Sequence, residues 1–91
     1  MAVTINITDK RTLYAIQEIK TSGRASSKAE VYRNIEFIPQ NERNVKSGSQ
    51  HFTANNIHKL CINYDVSVLY VFGFIDEVFA VNKKVNMKKQ I

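Results

Sequence analysis

After Thr53, a residue suited to cap a helix, Ile57, Leu60, Cys61 and Tyr64 fall at i, i+3, i+4 and i+7. Those intervals put four apolar groups on one stripe of an α-helix, and such a stripe must be covered by other elements. The chain has 91 residues, 44% of them apolar, so it can build one core and no more. The cover for the stripe therefore comes from the same short chain, whose remainder reads as further short helices separated by polar turns.

From Thr8 or Asp9, either of which can start a helix, Leu13, Ile16 and Ile19 recur at three-residue intervals until Ser22-Gly23. Ser27-Lys28-Ala29-Glu30 has the form of a capping box, with the Ser27 oxygen taking a backbone N–H and Glu30 returning to the Ser27 N–H. Val31 and Ile35 share one face of the helix it opens. Pro39 suits the first turn of a third helix that runs to Ser47 and ends at Gly48, with Val45 as its main apolar anchor. Beyond the fourth helix Asp65 turns the chain, Val66 plugs inward, and Ser67 caps a short fifth helix holding Val68, Leu69, Val71 and Phe72 before Gly73. Phe74, Ile75, Val78 and Phe79 then either close the core or form a dimer surface. The expectation is an all-α, compact bundle of about five short helices over residues 9–80, with an N-terminal arm at 1–8 and a lysine-rich C-terminal tail at 81–91. Within the arm, Val3, Ile5 and Ile7 alternate with polar residues as a short strand or an extended arm would, and the tail reads as a frayed helix or a disordered segment.

Cys61 is the one cysteine, which excludes an internal disulfide and a multi-cysteine zinc site and suggests a reducing compartment. His51, His58 and Cys61 lack the spacing of a metal site, and Cys61 falls on the apolar stripe with His58 beside it, so neither metal nor cofactor is expected. No glycine-rich phosphate loop, activated nucleophile or carboxylate pair presents itself, and no enzyme is expected. With no leader and no apolar run approaching the ~18 residues of a spanning helix, the expected setting is cytoplasmic and free of membrane. Asn6-Ile7-Thr8 matches the glycosylation sequon, a three-residue pattern that stands here without other marks of secretion.

The net charge of +5 is unevenly placed. Residues 1–19 balance and 52–80 are acidic, whereas 20–51 carry Lys20, Arg24, Lys28, Arg33, Arg43 and Lys46 against Glu30, Glu36 and Glu42. The tail adds Lys83, Lys84, Lys88 and Lys89. Such a basic middle and tail raises nucleic acid as a candidate, although on charge alone ordinary solvated faces and a soluble tail account for it better.

A capped helix, a tight turn, a short polar helix ending in glycine, a loop and two closing helices follow one another in SKAEVYRNIEF, IPQNERNVKSG and HFTANNIHKLCINYDVSVLYVFG. Over roughly residues 9–79 this order resembles the lambda-repressor-like, or Xre/Cro, helix-turn-helix family. The resemblance implies sequence-specific binding of double-stranded DNA by a homodimeric transcription regulator, repressor-like and phage or mobile-element in character, whose recognition helix at about 39–47 enters the major groove. On the matching positions Gln40, Asn41, Arg43 and Asn44 would face base edges, since Gln and Asn suit adenine and Arg suits guanine. Lys28, Lys46, Ser47, Ser49, Gln50 and His51 would contact phosphate, and Phe72 to Phe79 would form the dimer seam.

Three positions depart from the family pattern. A small residue early in the second helix, a glycine in the turn and an apolar residue within the recognition helix are replaced by Tyr32, Glu36 and Glu42. Glu42 must face solvent, pair with a base such as Arg33 or Arg43, or mark a shifted third helix. The departures open a second reading: a degenerate domain of the same fold serving as a protein-interaction module through Tyr32, the Phe74–Phe79 segment or the tail, with Gln40 to Asn44 merely solvated.

Overall fold

A computed structural model describes residues 5–80. The expectations for Val3 and for the tail lysines lie outside them. Five helices form among the described residues: α1 (Ile7–Thr21), α2 (Lys28–Asn34), α3 (Glu42–Lys46), α4 (Ala54–Tyr64) and α5 (Val68–Val71). A 3-10 turn, Pro39–Asn41, leads directly into α3. α1 packs against α2, α3 and α5, and α2 packs against α4 and the 3-10 turn. No strand forms among the described residues, only an isolated antiparallel bridge between Val66 and Phe79. None of the described helices is long and apolar enough to cross a membrane.

α1 begins two residues earlier than Asp9. Asn6 is its cap, accepting the Asp9 N–H at 2.8 Å through its side-chain oxygen. Because Asn6 satisfies that terminal donor, the Asp9 carboxylate is free to reach elsewhere, and it is 2% exposed. Ala15, Ile16 and Ile19 carry the buried face of α1.

Ser27 caps α2 as expected, its oxygen accepting the Glu30 N–H at 3.2 Å. The return contact is shifted by one residue: Glu30 accepts from the N–H and hydroxyl of Ser26, at 2.9 and 2.7 Å. These bonds hold the Glu30 carboxyl below its ordinary pKa.

α2 ends in a reversal made without glycine. Glu36 has φ +62°, and the Phe37 N–H reaches back to the Tyr32 carbonyl at 2.8 Å. Asn56, 5% exposed at the start of α4, secures this turn. Its Oδ1 accepts the Thr53 N–H at 2.9 Å, completing a capping box, while its Nδ2 donates to the Ile35 carbonyl at 2.8 Å. One side chain thus caps α4 and pairs a carbonyl that the end of α2 leaves without a helical partner. A left-handed non-glycine residue costs roughly 1–2 kcal/mol. The side-chain contacts of Glu36, to Asn55 at 3.2 Å and Lys59 at 3.7 Å, are exposed and worth a few tenths. Glu36→Gly is therefore expected to stabilise the fold by about 1 kcal/mol, read as a higher urea midpoint at unchanged slope. An unchanged or lower midpoint would show that the side-chain contacts outweigh the backbone strain.

α3 contributes Val45 alone to the core, as its sequence suggested, and Gly48 follows at φ +86°. Ile57, Leu60 and Tyr64 of α4 are buried, with Cys61 half-buried on the same stripe. After α5 the chain doubles back: the Ser67 N–H donates to the Val78 carbonyl and the Ala80 N–H to the Asp65 carbonyl, both at 2.8 Å. Ile75, Val78 and Phe79 pack on the core, so this part of the expected seam serves the fold. Val68, Leu69, Phe72 and Phe74 instead lie about half or more exposed. Two arginines of the sequence are spent here. Arg11 donates to the Tyr70 and Ile75 carbonyls, and the Arg24 guanidinium lies 3.8 Å from the Phe79 ring centre.

Candidate nucleic-acid interface

The left-handed turn at Glu36 sends the chain from α2 into the polar segment 39–46, anchored from beneath by Val45. Gln40 and Arg43 are exposed, and their side chains make no hydrogen bond or ion pair with other described residues. Asn41 and Asn44 are half-buried. Asn44 Nδ2 donates to Asn41 Oδ1 at 3.4 Å and to Gln50 Oε1 at 3.3 Å, so these three amides form one cluster. The four residues matched to base readout thus share one short segment, two with unengaged side chains and two held by long hydrogen bonds.

The residues matched to phosphate contact divide into two groups. Ser47, Ser49, Gln50 and His51 form the loop after α3, which is tied down from within. The hydroxyls of Ser47 and Ser49 both donate to the Asn44 carbonyl, at 3.0 and 3.2 Å. The His51 ring nitrogen Nδ1 meets Asp9 Oδ2 at 2.7 Å, and the Phe52 N–H donates to Asp9 Oδ1 at 3.0 Å. Most of the His51 side chain stays exposed, 63% of it. Asp9 is thus the residue that fixes this loop to α1, a role that reading Asp9 only as a helix start did not contain.

Lys28 and Lys46 are placed differently. Both reach Glu42, at 2.8 and 3.6 Å, and the three side chains line a cleft with Lys10, Leu13 and Tyr14 of α1. The open question over Glu42 is settled by position: α3 turns it toward the amino end of α2, so its partners are Lys28 and Lys46, not Arg33 or Arg43. Burial works to raise the Glu42 pKa, but the Lys28 hydrogen bond, aided by the Tyr32 hydroxyl and the Lys46 charge, brings it below the ordinary carboxylate value. The pairs leave both lysines partly neutralised on this side of the molecule.

Tyr32 stands where a small residue was expected, and it is 2% exposed. Its hydroxyl lies close to the Glu42 carboxylate yet makes no hydrogen bond of adequate distance and angle. Burial, and then the Glu42 charge, push this phenol far above its ordinary pKa of about 10. A folded pKa raised above the unfolded one means that stability is complete below pH 10 and falls as pH rises beyond it. The expected loss is about 1.4 kcal/mol per pH unit above 10, because the unfolded phenol sheds its proton while the folded one keeps it. Urea unfolding between pH 9 and 11 checks this, with Tyr32→Phe making the profile shallower and leaving the smaller part due to Cys61 and Tyr70, whose pKa values burial also raises; an equally steep profile in the variant would assign the loss to other groups.

Cys61 is half-buried, and burial alone pushes its thiol up in pKa, away from the reactive thiolate form. No group of three or more metal-ligating side chains forms among the described residues. Compared with known proteins, the chain matches no family model, no characterised sequence and no solved structure.

Proposed function

We propose that the chain is a sequence-specific binder of double-stranded DNA, a transcription regulator of the lambda-repressor-like helix-turn-helix kind that acts by occupancy rather than catalysis. The observation that carries this reading is the unit formed by α2, the left-handed turn at Glu36 and the segment 39–46, which leaves Gln40 and Arg43 exposed on its outer side. A short helix presented amino end first, over a supporting helix, is the geometry that enters a major groove. Gln40, Asn41 and Asn44 carry amides matched to adenine, and Arg43 the fork matched to guanine. The loop at Ser47, Ser49, Gln50 and His51 would flank the groove and contact phosphate. Lys28 and Lys46 would join it only by exchanging Glu42 for a phosphate oxygen.

A homodimer belongs to this reading, since one short helix reads only a few base pairs and two-fold pairing multiplies the specificity. Val68, Leu69, Phe72 and Phe74 are the exposed apolar groups that would form its seam. The same observation favours the second reading, a protein-interaction module that docks a partner on α5 and leaves segment 39–46 solvated.

The deciding experiment is fluorescence anisotropy of the purified protein on random-sequence duplexes at low and moderate salt, followed by selection of preferred sequences. Steep loss of binding with salt, together with a selected motif, is the expected result. Absence of binding even at low salt would remove the DNA reading and leave the interaction module.

A further inference from the structure

We propose that Ile38 reads the 5-methyl group of a thymine, a specificity contact that rests on the DNA-binding reading above. Ile38 is 62% exposed. It is the residue from which the 3-10 turn springs, with φ −74° and ψ 119°. Its setting is stiff on both sides. Phe37 before it is buried, its ring packed at a tilt against Tyr32 and Phe52 at 5.4 and 4.7 Å between ring centres, and Pro39 after it confines Ile38 to extended backbone. A β-branched side chain on a fixed backbone has few rotamers to lose on contact, so this methyl-bearing group is offered at little entropic cost.

A single exposed isoleucine is ordinary in a folded protein. What singles out Ile38 is its surroundings. It lines a shallow cleft of about 280 Å³ together with Asn41, Gln50 and His51, residues of the candidate interface. The other large exposed apolar side chains among the described residues lie on α1, α4, α5 and the segment after α5. Segment 38–51 therefore holds amides and an imidazole for the polar edges of bases and one large exposed apolar group. In the major groove thymine presents a methyl that cytosine lacks, and apolar contact is how that methyl is recognised. A recognition segment entering amino end first brings Ile38 in beside Gln40. Gln40 on an adenine and Ile38 on the methyl of the same or a neighbouring A·T pair would then read both edges of one tract.

The test uses the preferred duplex selected by the wild-type protein. Each thymine is replaced singly by uracil, which removes the methyl and nothing else, and affinity is measured for wild type and for Ile38→Ala. At one thymine, uracil is expected to weaken the wild type about fourfold, the worth of one buried methyl-sized group, and to leave Ile38→Ala unaffected. Ile38→Val, which keeps a branched apolar tip, is expected to retain most of the methyl preference, and thermal melts of both variants should match wild type because the side chain is exposed. The proposal is overturned if uracil weakens wild type and Ile38→Ala alike at every thymine, or if no uracil weakens wild type. Either outcome leaves the DNA reading standing on its selected motif. Failure to select any motif would overturn both together.

Discussion

Asp9→Ala is expected to lower the unfolding free energy by about 3 kcal/mol. The carboxylate is 2% exposed and serves two elements at once: it lies in the first turn of α1 and accepts from the Phe52 N–H and from His51 in the loop before α4. Truncation leaves a buried backbone N–H without a partner, which costs roughly 1–3 kcal/mol by itself. It also removes a negative charge from the amino end of a helix, worth about 0.3–1 kcal/mol. For a domain of this size the melting temperature should fall by roughly 12–24 °C. His51→Ala should cost far less, about 1 kcal/mol or under, because the His51 side chain is 63% exposed and its removal leaves Asp9 still bonded to Phe52. Asp9→Asn, which keeps an acceptor for the Phe52 N–H, should fall between the two. Equal losses for Asp9→Ala and His51→Ala would move the anchor from the backbone bond to the side-chain pair. Since folded domains hold only about 5–15 kcal/mol in total, Asp9→Ala would bring this one toward partial unfolding at physiological temperature.

What could be read from the sequence was what depends on neighbours along the chain. Ile57, Leu60 and Tyr64 announce α4 by spacing alone, and Val45 and Gly48 mark the buried anchor and the end of α3, because helical periodicity and caps are local physics. Asn6 and Asp9 stand three apart, the spacing of a cap and its third helical residue, yet Asn6 reads as easily as part of a sequon. The bond from Asp9 to Phe52 spans 43 positions and has no sequence signature. The same holds for Lys28 and Glu42, 14 apart, whose pairing depends on how α3 crosses the start of α2. The closing segment shows the limit most plainly. Phe74, Ile75, Val78 and Phe79 are alike in apolar character and lie within six positions, but backbone bonds from Ser67 and Ala80 turn 75, 78 and 79 inward and leave Phe74 75% exposed. For the interface, residue types placed the amides and Arg43 on one segment. They did not show that Glu42 already holds the two lysines assigned to phosphate.

The double substitution Gln40→Ala with Asn44→Ala should sharply weaken sequence preference while leaving the fold and the salt-dependent binding to random DNA intact. Gln40 is exposed and unengaged, and its removal disturbs no contact. Asn44 is more engaged, since its carbonyl accepts from the backbone N–H groups of Ser49 and Gln50 and from two serine hydroxyls. Those bonds belong to the backbone and survive the substitution. Only the side-chain bonds to Asn41 and Gln50 are lost, and at 3.4 and 3.3 Å they are long enough to be weak. The same weakness lets Asn44 exchange them for an adenine edge on binding. Two amide contacts at roughly 1–3 kcal/mol each imply a loss of at least about 30-fold at the selected site. Binding to random duplexes, which depends on phosphate attraction, should change by less than about twofold. Arg43→Ala gives the contrast, since it removes a charge as well as a fork: it should weaken both kinds of duplex and reduce the slope of log affinity against log salt by about one. Anisotropy titrations on the selected and random duplexes separate the cases. If the double variant holds the selected site within about twofold of wild type, Gln40 and Asn44 do not read bases.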